Sequence, residues 1–161
     1  MLKIGSRAPE FVLQSDSGAE TSLTDLLNDG PLVLYFYPAD FTPGCTKEAC
    51  AIRDIHSDLV AVGLRVAGIS PQDVDSHARF RDKHHLPFVL LSDTEKTAIK
   101  MYDVDGPFGV GVRRATFLVS QDRLIKDAVT ADVRISRHKE FIQKAIILRE
   151  TAGMSSELSP D

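Results

Sequence analysis

Both cysteines of the chain lie in one short segment where a strand is expected to be followed by a helix. The run 32–37 is apolar and aromatic, which is typical of a buried strand, and Pro38 ends it. Thr42 and Pro43 then form a helix-start pattern, an N-cap residue followed by proline. Cys45 therefore falls in the first turn, where unpaired N–H groups and the helix dipole favour an anion. The pattern predicts a reactive thiol in preference to a cysteine that only fills the core.

The two cysteines occupy different faces of the predicted helix. Cys45 shares an inward-facing stripe with Ala49 and Ile52, whereas Cys50 lies about 140° away among polar residues. In an intact helix their Cα atoms are about 8.7 Å apart, and a disulfide rarely spans more than about 7 Å. A disulfide between them therefore requires the first turns to unwind. The pair is interpreted either as two unrelated thiols or as a switch that couples oxidation to local unfolding.

Several other thiol and metal chemistries do not fit these spacings. Four residues separate the cysteines, so there is no Cys-x-x-Cys redox motif, and Arg53 is misplaced for a Cys-x5-Arg phosphate loop. The histidines show no zinc-ligand spacing with the cysteines, and His84 and His85 are expected at a solvated helix end. The glycines of 106–111 have the wrong order for a dinucleotide loop, and we interpret this segment as a flexible loop.

The composition limits the class of protein. The chain has 161 residues, with 19 basic and 23 acidic side chains and a net charge of −4. It shows no dense basic cluster that would indicate a nucleic-acid surface and no apolar stretch of transmembrane length. A cytoplasmic location is expected, where a cysteine pair is more often catalytic than structural. We expect one domain over residues 1–150, followed by a small, polar and mobile tail at 151–161.

Apolar patterning and cap signals predict alternating strands and helices. The predicted elements are a hairpin around 17–19, a strand at 32–37, a helix at 43–61, a strand at 64–69, a helix from Ser70 to before Pro87, a strand at 88–91, a helix from Ser92 to about Met101, a hairpin of 115–119 and 124–129, and a helix from Ser136. These residues alone predict a mixed α/β layer structure.

The segment that contains both cysteines resembles the active-site segment of peroxiredoxins, whose hallmark is Pro-x-x-x-Thr-x-x-Cys. It reads Phe-Tyr-Pro-Ala-Asp-Phe-Thr-Pro-Gly-Cys-Thr-Lys-Glu-Ala-Cys over 36–50. Cys50 and the pair Arg53-Asp54 are similar to the bacterioferritin comigratory protein, or PrxQ, group. The resemblance covers about residues 5–150. It implies a thioredoxin-like fold, a three-layer α/β/α structure with a mixed central sheet and an N-terminal hairpin extension.

The resemblance also implies a role for each candidate residue. Cys45 would be the peroxidatic nucleophile and Cys50 the resolving thiol. Thr42 would hydrogen-bond the thiolate or the peroxide, although a plain N-cap is equally expected. Pro38 would shield the pocket from water, although it is also a strand terminator. Arg114 would keep the thiolate ionised and stabilise the departing oxygen.

Two residues near this set have open assignments. Arg113 competes with Arg114, and strand alternation favours Arg114 because it shares a face with Thr116 and Leu118. Glu48 is expected either to stabilise the helix start or to join the hydrogen bonds of the site.

By resemblance, the chain is a thioredoxin-dependent peroxidase that reduces hydrogen peroxide and organic hydroperoxides through a Cys45 sulfenic acid. No metal, haem or flavin is implied, because sulfur carries the redox chemistry. The implied reductant is thioredoxin or a similar dithiol, and a monomer is expected because the resolving thiol is internal. Two alternatives stay open. One is a general thiol–disulfide oxidoreductase, against which the missing Cys-x-x-Cys motif argues, and the other is a non-enzymatic redox sensor.

Overall fold

The centre of the fold is a mixed β-sheet with helices on both faces. The computed structural model describes residues 1–132 and 134–157, with side chains through Gly153. In this part of the chain the strands are β1 (Val12–Ser15), β2 (Glu20–Ser22), β3 (Leu32–Phe36), β4 (Arg65–Ser70), β5 (Val89–Ser92), β6 (Ala115–Val119) and β7 (Ile125–Thr130). The helices are α1 (Leu23–Leu27), α2 (Pro43–Asp54), α3 (His56–Ala61), α4 (Val74–His84), α5 (Thr97–Met101) and α6 (Ser136–Glu157), with a single 3-10 turn at Pro107–Gly109.

The strand order brings the candidate residues to one end of the sheet. Across the described residues the order is β2-β1-β5-β4-β3-β6-β7. The central strand β3 is buried throughout and pairs in parallel with β4 and antiparallel with β6. Phe36, its last residue, lies opposite Ala115, the first residue of β6. The segment that follows β3 therefore begins beside the residue that precedes β6, which is Arg114.

Alternation along β3 separates the core into two layers. Leu34 and Phe36 pack on one face of the sheet with residues of α1 and α5. Val33 and Tyr35 pack on the other face with residues of α2, α4 and α6, and Cys45 belongs to this second cluster. The sheet thus has helices on both faces, as the three-layer prediction requires, and the nucleophile candidate lies in a well-packed layer.

Three predicted helices begin or end elsewhere than expected. The helix predicted over 43–61 is divided at Ile55, whose φ of −107° and ψ of 7° end α2 and whose N–H bonds to the Ile52 carbonyl. The helix predicted from Ser70 begins at Val74, because Ser70 belongs to β4 and the Asp73 side chain caps the Ser76 N–H instead.

The predicted Ser92 cap is also wrong. Ser92 ends β5, and α5 begins at Thr97. The carboxylate of Asp93 accepts hydrogen bonds from the N–H groups of Thr97 and Ile99, so it does the capping from outside the helix. Asp93 caps the helix in place of Ser92 because Ser92 belongs to β5 and pairs with Ser70 of β4.

The last helix extends beyond the domain boundary predicted from the sequence. Helix α6 continues through Glu157, so the boundary predicted at residue 150 falls inside a helix and residues 151–157 are helical. Residues 158–161, the last part of the tail predicted at 151–161, lie outside the described residues. Among the helices that are described, none has the length and apolar character needed to cross a membrane.

Candidate active site

Cys45 lies in the first turn of α2 and its side chain is buried, with 2% of its surface exposed. Pro43 is the first residue of this helix and Thr42 its N-cap, as the sequence predicted. The backbone N–H groups of Gly44 and Cys45 therefore lie where a helix lacks its own acceptors. Both cysteines are free, and α2 is continuous through Cys45 and Cys50. This agrees with the helix expected for the reduced protein.

The guanidinium of Arg114 lies against the Cys45 sulfur. Its Nη2 is 3.2 Å from Cys45 Sγ, and its Nη1 donates to Glu48 Oε2 at 2.5 Å. Arg114 is buried, whereas Arg113 is exposed. Of the two arginines considered from the sequence, the one favoured by strand alternation is therefore the one in contact with the thiol. A cation at this distance stabilises the thiolate form of a cysteine.

Gly44 makes room for that guanidinium. A Cβ atom at this position would lie 3.3 Å from Arg114 Nη2 and 3.1 Å from Ile135 Cδ1. Both distances are shorter than ordinary van der Waals contact, so a larger residue would displace the arginine or the isoleucine. The close approach of Arg114 to the start of α2 therefore requires glycine at position 44. The sequence pattern alone did not indicate this role.

Glu48 belongs to the same cluster, one turn after Cys45 on the inward face of α2. Burial raises the pKa of Glu48 from 4.5 to about 7, although the ion pair with Arg114 acts in the opposite direction. Among the described residues its Oε1 atom is buried without a hydrogen-bond partner. Of the two interpretations made from the sequence, participation in the hydrogen bonds of the site is the one that this geometry matches.

The segment between β3 and α2 forms one wall of the site. Thr42 donates its hydroxyl to the Ala39 carbonyl at 2.9 Å, and it makes no side-chain cap hydrogen bond to α2. The lone pairs of this hydroxyl are thus the part that can interact with a substrate. Pro38 is half-buried and lines a cleft with residues of the loop before β6, among them Val112 and Arg113.

A buried polar network anchors this segment to α4, and the sequence analysis missed it. The Asp40 carboxylate accepts from the Tyr37 hydroxyl at 2.7 Å, lies 2.7 Å from His77 Nδ1, and accepts from the Ser76 hydroxyl at 2.7 Å. His77 is fully buried, and its Nε2 is 3.1 Å from the Leu91 carbonyl. The acidic residue inside the Pro-x-x-x-Thr motif was the available signal, but nothing local identified its partners.

Cys50 is half-buried and contacts a histidine. Its Sγ lies 3.8 Å from Nδ1 of His84, the last residue of α4. The sequence placed Cys50 on a polar helix face and His84 at a solvated helix end. Of these two histidines, His84 is half-buried and His85, the next residue, is exposed. Contacts between residues 34 positions apart depend on how α4 packs against α2, and no spacing rule could have predicted this one.

Comparison with known proteins shows the family of the chain. The AhpC/TSA family model matches residues 4–128. The chain is 41% identical over 133 residues to peroxiredoxin Bcp of Bacillus subtilis, which covers 78% of this chain and 84% of that protein. The crystal structure of peroxidoxin BcpB from Mycobacterium tuberculosis superposes with a TM-score of 0.85 at 34% identity, covering 94% of this chain and 98% of that one.

A further structural neighbour is a protein described for peroxide reduction. It is the Xanthomonas campestris bacterioferritin comigratory protein, described for its alkyl peroxide reduction activity, with a TM-score of 0.78, 28% identity and coverage of 86% and 90% of the two chains. These neighbours confirm the predicted thioredoxin-like α/β fold. The chain belongs to the AhpC/TSA family, and its relatives place it among the peroxiredoxins of the bacterioferritin comigratory protein, or PrxQ, group.

Proposed function

We propose that this peroxiredoxin reduces hydroperoxides with Cys45 as the peroxidatic nucleophile and Cys50 as the resolving thiol. The observation that carries the proposal is the Arg114 guanidinium 3.2 Å from Cys45 Sγ at the first turn of α2. This arrangement combines two sources of positive potential, a side-chain cation and a helix N-terminus, at one buried sulfur. Such a sulfur is suited to attack a small, neutral oxidant.

In the first step the Cys45 thiolate attacks one peroxide oxygen. The S–O bond forms as the O–O bond breaks, sulfur loses two electrons, and the departing hydroxide or alkoxide takes a proton to become water or alcohol. Arg114 and the N–H groups of Gly44 and Cys45 stabilise the negative charge. Because the Thr42 hydroxyl donates to the Ala39 carbonyl, it is set to accept a hydrogen bond from the peroxide O–H. Pro38 limits the access of water to this pocket.

In the second step Cys50 attacks the Cys45 sulfenic sulfur and forms an intramolecular disulfide with loss of water. Both residues lie in the continuous helix α2, where their Cα atoms are about 8.7 Å apart. The first turns of α2 therefore unwind for the disulfide to form. The half-buried position of Cys50 makes its sulfur reachable from solvent once these turns open.

The proposal extends to the reductant, the assembly and the location. Thioredoxin or a similar dithiol protein reduces the disulfide, as the family resemblance implies. An internal resolving thiol supports a monomer, because no second subunit has to supply the sulfur. A catalytic cycle that alternates between two thiols and a disulfide suits the reducing conditions of the cytoplasm.

A general thiol–disulfide oxidoreductase is less compatible with the site. Such an enzyme needs a nucleophile that protein disulfides can reach, and only 2% of the Cys45 surface is exposed. A redox sensor would share the first step but not the rapid return to the reduced state. Turnover with reductant therefore separates the sensor from the enzyme.

Stopped-flow peroxide consumption with thioredoxin and its reductase tests the proposal. Wild type should turn over, Cys45→Ser should consume no peroxide, and Cys50→Ser should react once and then stall. Consumption by Cys45→Ser would overturn the whole mechanism, whereas full turnover by Cys50→Ser would overturn only the resolving role. Slow wild-type turnover with excess reductant would favour the sensor.

A further inference from the structure

The contact between Cys50 and His84 lies outside the peroxide site and has no part in the first step. Cys50 Sγ is 3.8 Å from His84 Nδ1, within the longer reach of hydrogen bonds to sulfur. We infer that His84 is the proton acceptor for Cys50 in the resolving step. This inference rests on the proposed resolving role of Cys50.

The position of His84 is determined by contacts with two helices. Arg53, one turn after Cys50 in α2, donates from Nη1 to the His84 carbonyl at 2.8 Å. The His84 ring packs edge-on against the Phe80 ring of α4, with centroids 5.1 Å apart. These contacts hold the imidazole beside the Cys50 sulfur while α2 is still helical.

The charged groups around His84 favour its neutral form. Burial lowers the pKa of His84, and the positive charges of Lys83, Arg53 and His85 lower it further. Arg53 itself pairs with the carboxylate of Asp54, the next residue of α2, at 3.1 Å. A neutral imidazole with its proton on Nε2 presents a lone pair at Nδ1, the atom nearest the thiol. His84 can therefore accept a proton at neutral pH.

The proposed step balances in protons and electrons. His84 Nδ1 takes the proton of the Cys50 thiol, and the resulting thiolate attacks the Cys45 sulfenic sulfur. The S–S bond forms, the S–O bond breaks, and the departing hydroxide is protonated to water as the imidazolium returns its proton to solvent. The sum is one thiol plus one sulfenic acid giving one disulfide and one water.

A purely structural role for the contact predicts the opposite result. If His84 only holds α2 against α4, then its removal makes unwinding easier and the disulfide forms faster. If it accepts the proton, its removal slows disulfide formation, most strongly at low pH. The direction of the change and its pH dependence therefore separate the two roles.

The test is a single turnover followed by rapid acid quench, thiol alkylation and mass spectrometry, over about pH 6 to 9. The variant is His84→Asn, which keeps a polar atom near Nδ1 without its basicity, and the matched control is His85→Asn at the exposed neighbouring position. His84→Asn should form the sulfenic acid at the wild-type rate, which also shows that the fold is intact. It should form the disulfide at least ~10-fold more slowly near pH 7.

The pH profile completes the test. The deficit of His84→Asn should shrink as the pH approaches about 8.5, where an ordinary thiol ionises unaided, and His85→Asn should behave as wild type. An unchanged or faster rate in His84→Asn, or a deficit of equal size at every pH, would overturn the inference. A wild-type protein that never forms the disulfide would instead show that the resolving role of Cys50 is wrong.

Discussion

Replacement of Arg114 by methionine removes the cation from the Cys45 sulfur while keeping much of the side-chain volume. The change deletes the 3.2 Å contact with Cys45 Sγ and the 2.5 Å contact with Glu48. Hydrogen bonds that involve a charged group contribute about 1.5–3 kcal/mol, and each 1.36 kcal/mol is tenfold in rate. We expect the second-order rate constant for peroxide to fall by ~10- to 150-fold.

In Arg114→Met the Glu48 side chain loses its ion-pair partner, but this loss should not unfold the protein. Burial already raises the pKa of Glu48 to about 7, with Arg114 opposing that rise, so the variant will hold a protonated Glu48 at neutral pH. A neutral acid needs no counter-ion, and a loss of folding is therefore not the expected cause of the lower rate. Arg114→Lys, which keeps the charge without the two-pronged geometry, should fall between methionine and wild type.

Stopped-flow consumption of one equivalent of peroxide measures this rate constant directly. Arg113→Met is the matched control, because Arg113 is adjacent in sequence but exposed, and it should react within twofold of wild type. A rate constant for Arg114→Met within twofold of wild type would refute the role assigned to this cation. Equal slowing of Arg113→Met and Arg114→Met would refute it as well.

Three further tests address the ionisation, the anchoring and the unwinding of the site. Because burial raises the pKa of Glu48 from 4.5 to about 7, the folded chain binds this proton more tightly than the unfolded chain, and the free energy of unfolding should decline between about pH 4.5 and 7. Urea titrations should show that Glu48→Gln removes this part of the decline, while Glu140→Gln, on the exposed face of α6, retains it. Asp40→Ala removes the acceptor shared by Tyr37, Ser76 and His77 and leaves the Tyr37 hydroxyl and His77 Nδ1 only their own 3.3 Å contact. It should cost at least ~2 kcal/mol in the same assay, whereas the exposed Asp75→Ala should cost under ~0.5 kcal/mol. Hydrogen exchange in Pro43–Asp54 should be slow in the reduced protein and much faster after peroxide treatment; equal exchange in both states would contradict the unwinding step.

Much of the site could be predicted because its residues are adjacent in sequence. The proline after Thr42 determined where α2 begins, and the position of Cys45 in the first turn followed from counting. Strand alternation favoured Arg114 over Arg113, although Arg114 lies one residue before β6 begins at Ala115. These inferences needed only the period of an element and the chemistry of its start.

The remaining features depend on tertiary packing. Asp40 and His77 are 37 positions apart, and Cys50 and His84 are 34 apart, so their contacts exist only once α4 packs against the cysteine-bearing layer. The predictions of the cap residues Ser70 and Ser92 were wrong for a related reason. Ser70 carried a strong cap signal, but pairing of β4 with β5 extended the strand over it and left the capping to a later aspartate.

The most direct test of the account is the mass of the chain after one equivalent of peroxide, with peptide mapping of the product. The wild-type protein should become lighter by two hydrogen atoms, with the peptides of Cys45 and Cys50 joined by a disulfide. In Cys50→Ser the product should instead gain one oxygen atom, located on Cys45. A wild-type product that keeps an added oxygen, or one in which Cys50 carries it, would contradict the account.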